Sequence, residues 1–282
     1  MLYLLLYVAF MVTFTQGLRY AQRRGAGVLP VSTVNYVAAA VLTAGILAWR
    51  WGGVPDHGRL TAAALGAANG MMYVGCLVLM LAGYRLVGIG ITTAFMQMGV
   101  TIPVLVSFTF WGESMSPFQW AALALLPMAV ALMRPASGHR KLTMAGDAIL
   151  VAALLCAGAV GTVHKASNVY AAGCVPLYQA ALFFAAAVAC AIYVATRRIP
   201  YGRRIVVLGT TLGVFNVLAT LFVLLALSVL PAGVVFPISS SATISLSVIL
   251  GRVLWKEHVS ARQIAGVVIA IAVVVLATLN AG

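Results

Sequence analysis

Charge is what this chain has least of. Only 7% of its 282 residues are charged, against about 25% in a soluble domain, so the chain cannot coat a water-exposed globule. Acid is scarcest: Asp56, Glu113, Asp147 and Glu257 are the whole supply, and all four fall in predicted loops or at the ends of apolar runs. No long polar segment remains from which to build a soluble domain. Cysteine is rare as well. Cys76, Cys156, Cys174 and Cys190 lie in or beside apolar runs, with no C-x-x-C and no His or acid nearby. That argues against a metal site or a disulfide framework and for small buried hydrophobes. The first apolar run begins at Met1 without a basic segment, and no convincing small-residue cleavage site follows. It reads as a retained helix rather than a signal peptide.

What the chain does have is hydrocarbon. Its residues are 63% hydrophobic, mean hydropathy is +1.09, and apolar runs recur from end to end. Many have the ~17–25 residues needed to cross roughly 30 Å of lipid. Ten spans are predicted, at about 2–22, 30–49, 60–82, 87–110, 117–134, 145–168, 174–195, 205–228, 232–254 and 261–279. Charged, glycine and proline residues punctuate the breaks, as in Arg23-Arg24-Gly25 and Arg197-Arg198-Ile199-Pro200. All five tryptophans (Trp49, Trp51, Trp111, Trp120, Trp255) stand at span ends, where indole favours the headgroup layer. A net charge of +13 would point to nucleic acid in a soluble protein, but no nucleic-acid module accompanies it. Here the basic residues sit in short loops, where they orient the chain and meet anionic lipid headgroups. An integral, multi-pass protein of the cytoplasmic (plasma) membrane is expected, with no nucleic-acid partner.

The chain also repeats itself. Phe110-Trp111-Gly112-Glu113-Ser114-Met115-Ser116-Pro117-Phe118-Gln119 returns as Leu254-Trp255-Lys256-Glu257-His258-Val259-Ser260-Ala261-Arg262-Gln263, with Trp, Glu, Ser and Gln in register. Ala26-Gly27-Val28-Leu29-Pro30 matches Ala172-Gly173-Cys174-Val175-Pro176, Arg19 matches Lys165, and Gly66 and Gly70 match Gly209 and Gly213. Each half holds five spans, and an odd number inserts the second half upside down. The expected fold class is an all-α membrane protein of ten transmembrane helices in two inverted five-helix repeats, 1–134 and 145–279. Inverted repeats around a midplane site are common among secondary transporters. A duplication kept only for packing is the alternative.

With these residues in view, the chain resembles the drug/metabolite transporter superfamily, EamA type, over essentially its whole length. One departure is the glycine expected soon after the glutamine, present as Gly266 but replaced by Ala122 in the first half. The resemblance implies a carrier of small molecules in which spans five and ten pack peripherally around the other eight. It also implies cytoplasmic termini. The charge pattern disagrees, since fourteen Arg and Lys at odd-numbered joints against three at even joints would place the odd joints inside. Four-helix exporters of the superfamily exchange protons for cationic drugs through a carboxylate in their first helix. This first span offers Thr13, Thr15 and Gln16 instead, which disfavours that mechanism.

Polar side chains retained in hydrocarbon usually face a bundle interior or a water path. Thr93, Gln97 and Thr101 are spaced by four on one face of span four, and their counterparts Pro237, Ser241 and Ser245 share a face of span nine. Hydroxyls there also serve close packing and backbone bonds. Pro103 and Pro237 remove backbone donors, which marks either a cavity wall or a packing kink. Tyr73 and Asn216 are expected to project past the glycine stripes into the cavity, and Asn35 of the Asn35-Tyr36 pair needs partners, whether ligand or neighbouring helix. Lys165 either snorkels to the interface or anchors an anionic or zwitterionic substrate, with His164 as a nearby donor. The substrate-contact set is thus Gln16, Asn35, Tyr73, Gln97, Thr101, His164, Lys165, Asn216, Ser241 and Ser245. No catalytic residue, metal or cofactor is expected.

The expected function is secondary transport of a small polar metabolite by alternating access, not driven by a buried carboxylate. The alternatives are a flippase subunit for a lipid headgroup or lipid-linked substrate and, with less support, an intramembrane enzyme, for which no converging nucleophile and base are present. Membrane lipids are the other partners, and homodimerisation is left open.

Overall fold

A computed structural model describes residues 1–133, 143–196, 202–256 and 260–279. Helices α1 (Leu2–Arg23), α2 (Val28–Arg50), α3 (Arg59–Leu86), α4 (Ile89–Met98), α5 (Thr101–Phe110) and α6 (Pro117–Met133) come first. Then follow α7 (Met144–Tyr170), α8 (Val175–Thr196), α9 (Arg203–Val229), α10 (Ala232–Trp255) and α11 (Ala261–Thr278). Among the described residues, nine helical segments are long and apolar enough to cross a membrane, α4 and α5 counting together as one, and α6 is a shorter apolar helix of 17 residues. The chain is therefore an all-α, multi-pass membrane protein.

The breaks obey local chemistry. Helix α1 ends because Gly25 adopts φ +76, letting its N–H reach Gln22 O at 3.0 Å while Ala26 N–H reaches Ala21 O at 2.9 Å. This is a Schellman closure of the last carbonyls. The duplicated Ser-x-x-Gln is a helix start. Ser116 N–H donates to Gln119 Oε1 at 3.0 Å and Gln119 N–H donates to Ser116 Oγ at 3.3 Å. Ser260 and Gln263 repeat both bonds at 3.0 and 3.3 Å. Such reciprocal capping satisfies two N–H groups that an open helix end leaves bare.

Packing groups the helices into two compact units, residues 1–74 with 163–228 and residues 75–162 with 229–282, each drawing on both halves of the sequence. In the first unit, α3 meets α8 and α9 meets α2 through glycine. A Cβ on Gly66 would run into Tyr178 O and Ala181 Cβ, and one on Gly70 into Leu182 O and Ala185 Cβ. A Cβ on Gly209 would meet Val31 O and Val34 Cβ, and one on Gly213 would meet Asn35 O and Ala38 Cβ. The sequence-matched glycines thus meet backbone oxygens and Cβ atoms at the same spacing on α8 and α2, the helices that the sequence match pairs. Backbone contact this close is what small residues permit between membrane helices. In the second unit, α6 packs on α11 and both pack on α10. Ala129, Met133 and Ala270 lie buried between them.

Two details lie beyond the sequence reading. The predicted fourth span is present as one apolar segment, Ile91–Phe110, within which α4 stops at Met98 and α5 restarts at Thr101. Gly99, at the break, lies against Leu154 O and Gly158 N of α7. Pro103 consequently falls in the first turn of α5, where its missing N–H costs nothing. Cys76 of α3 and Cys156 of α7, free thiols, lie 2.9 Å apart in the second unit, a proximity that spacing along the chain cannot reveal.

Candidate functional site

The polar centre of the first unit is built on the glycine contact of α3. Gly66, Asn69, Gly70 and Tyr73 share one helical stripe, so the approach that brings α8 close also carries Asn69 and Tyr73 onto it. Asn69 Nδ2 donates to Tyr178 Oη at 2.6 Å, Tyr178 Oη lies 3.0 Å from His164 Nδ1, and His164 Nε2 lies 3.0 Å from Tyr73 Oη. Both ring nitrogens therefore meet hydroxyls. A hydroxyl can donate or accept, so either neutral tautomer is satisfied. The rings pack edge to face, with centroids 6.0 Å apart for Tyr73–His164 and 5.8 Å for His164–Tyr178. Tyr36 and Phe183 flank Tyr73 at 6.4 and 6.5 Å. The arrangement offers hydroxyl, amide and imidazole groups within aromatic walls.

Lys165, buried beside His164, turns elsewhere. Its Nζ donates to Leu227 O at 3.4 Å, in the last turn of α9, where carbonyls lack helical partners and a cation is favoured. Adjacent helix positions diverge by about 100°, which is why His164 and Lys165 face different neighbours. Asn216 Nδ2 donates to Asn35 Oδ1 at 3.3 Å, tying α9 to α2, while Asn35 Nδ2 meets no partner among the described residues. Gln179 Nε2 donates to Val217 O at 3.3 Å and ties α8 to α9. Gln16 lies half-buried on α1. The hydroxyls of Thr13 and Thr15 bond back to Ala9 O and Val12 O.

The second unit holds the other predicted contacts. Gln97 Oε1 accepts from Ser240 at 3.2 Å, not from the repeat counterpart Ser241. Ser241 is fully buried, and its Oγ, like that of Thr243, has no partner among the described residues. Ser245 Oγ lies 4.0 Å from Met133 Sδ of α6, a packing position rather than an open wall. Thr101 is half-buried at the start of α5, separated from Gln97 by the helix break, and Thr93 is exposed with its hydroxyl 3.4 Å from Tyr84 Oη. Sequence reasoning missed Tyr178, Asn69 and Ser240. Tyr178 stands in an apolar span like any aromatic, and Ser240 is one of three consecutive serines.

The described acids are all accounted for outside these clusters. Asp56 pairs with Arg59 at 2.6 Å, and Asp147 lies in the first turn of α7. Glu113 Oε2 accepts from Ala232 N–H at 2.8 Å, capping the start of α10. Glu257 lies outside the described residues. Glu113→Gln keeps an acceptor and loses the charge, which is worth about 0.3–1 kcal/mol at a helix start. Glu113→Ala leaves the N–H bare and costs about 0.5–2 kcal/mol. Chemical denaturation should rank them in that order, with activity per folded molecule unchanged in both. A purified Glu113→Gln protein of normal yield and no activity would make this carboxylate part of the machinery.

Fold and clusters together define a multi-pass helical membrane protein with polar groups buried inside its helix packing. No family model and no curated protein sequence matches the chain. A solved structure described as "Crystal structure of protein" is similar to it, with TM-score 0.82 and 15% identity, covering 99% of this chain and 96% of that one. At that identity the likeness speaks for the fold.

Proposed function

We propose that the chain is a ten-helix secondary transporter, built as two inverted five-helix repeats of the drug/metabolite transporter type, that moves a small polar metabolite by alternating access. The observation that carries this reading is the buried Asn69–Tyr178–His164–Tyr73 cluster. Polar groups inside membrane helices are expensive, and a buried ionisable side chain such as His164 is a functional-site candidate by default. The matched glycine contacts of α3 with α8 and of α9 with α2 support the repeat relation, because related segments make related contacts. The clusters contain no carboxylate among the described residues, so coupling, where it exists, runs through another group. For an anionic or zwitterionic solute Lys165 supplies the cation by turning from Leu227 O, and His164 with the tyrosines supplies donors and acceptors. A thermal-shift screen of the purified protein against amino acids, sugars and nucleosides tests the reading. A true substrate raises the melting temperature of wild type by mass action and leaves that of a His164→Phe variant unmoved. A screen in which no small polar solute stabilises wild type would count against it.

A further inference from the structure

The end of α1 and the start of α9 together form a groove that the transport reading does not use. It has a volume of about 330 Å³ and is lined by Tyr20, Arg203, Arg204, Val207 and Leu208. Arg204 Nη1 donates to Arg24 O at 3.4 Å, and the Arg24 guanidinium lies 5.2 Å from the centre of the Tyr20 ring. The Arg24 guanidinium thus stands over the Tyr20 ring, and Arg203 and Arg204 line the groove beside that ring. None of Arg24, Arg203 and Arg204 has an acidic partner among the described residues, where Arg59–Asp56 is an ion pair made elsewhere. Like charges collected without a counter-charge repel one another, and an anion between them relieves that repulsion.

The groove also has a direction. Val207 and Leu208 follow Arg203 and Arg204 by one helical turn on the same face, about 6 Å further along α9. Val207 is 57% exposed, while Leu208 is held by the core around Ala21, Val31 and Leu212. The site is therefore cationic at one end and apolar at the other. We propose that it binds an anionic phospholipid, with the phosphate against Arg203 and Arg204 and the upper acyl chain along Val207, Leu208 and the Tyr20 ring. A free phosphate shares the charge chemistry and has no use for the apolar wall.

The full-length protein in neutral detergent is titrated with phosphatidylglycerol, with phosphatidylcholine and with inorganic phosphate while its melting temperature is followed. Phosphatidylglycerol should stabilise it saturably, and the other two should do so far less. Arg203→Gln/Arg204→Gln should weaken the phosphatidylglycerol midpoint about thirtyfold, and Arg203→Gln alone about fivefold. The single variant keeps the test intact if the double variant does not fold. Arg85→Gln/Arg252→Gln removes two charges elsewhere and should leave the midpoint unchanged. Equal responses to the two lipids, a full response to phosphate alone, or an equal loss in the Arg85/Arg252 control would overturn the proposal.

Discussion

One methyl group on Gly70 should remove about 1–3 kcal/mol of stability, the usual cost of overpacking a full interior. Ordinary helix propensity predicts the opposite sign, since alanine exceeds glycine by about 1 kcal/mol in a helix interior. The difference lies in what the methyl meets. At Gly70 it would overlap Leu182 O and stand 2.9 Å from Ala185 Cβ and 3.0 Å from Ala186 N. Backbone atoms cannot step aside as a flexible side chain does, so α3 must move off α8. That movement would also stretch the Asn69–Tyr178 bond. Gly45 on α2 is the control, because a Cβ there meets nothing within 4 Å. Chemical denaturation in detergent should find Gly45→Ala as stable as wild type or more so, and Gly70→Ala clearly weaker. Equal stability of the two would mean that the helices are not in backbone contact.

Replacing Lys165 by methionine should raise the apparent KM for an anionic or zwitterionic substrate about tenfold to a hundredfold, the worth of one hydrogen bond to a charged group. Methionine keeps most of the stem and removes the charge. The bond to Leu227 O predicts an accompanying loss of stability of about 0.3–1 kcal/mol, from an uncapped end of α9. Stability therefore reports the structural role and KM the binding role. Arg19→Met is the comparison, since Arg19 is the sequence counterpart on α1. Only the Lys165 variant should lose discrimination between an anionic substrate and its neutral analogue. Small, equal effects of the two substitutions would remove Lys165 from the site and leave His164, Tyr73, Tyr178 and Asn69 as its polar core.

The helix boundaries were legible because each break carries its own chemistry. Arg23-Arg24-Gly25 announced a glycine-closed end, and the repeated Ser-x-x-Gln contained the capping boxes of α6 and α11, although its repetition was more visible than its bonds. The polar positions were legible only as candidates. Gln97 was singled out together with Thr101, but α4 ends between them, at Gly99, which lies against α7. Its partner is Ser240 rather than Ser241, a shift of one residue that rotates a helical side chain by about 100°. Tyr178 and Asn69 carried no signal, because a tyrosine hydroxyl in an apolar span matters only through what lies opposite it. The Cys76–Cys156 proximity was hidden for the same reason, the two residues lying on different helices.

Counterflow tests the central claim most directly. Proteoliposomes preloaded with an unlabelled solute found by the thermal-shift screen are diluted into the same solute at trace concentration, radiolabelled. An alternating-access carrier should accumulate label transiently above equilibrium, with the label chemically unchanged, and Lys165→Met should reach the same peak only at higher solute concentration. Label that enters without an overshoot, that emerges as a different compound, or that never enters while phospholipid scrambles between leaflets would contradict the account.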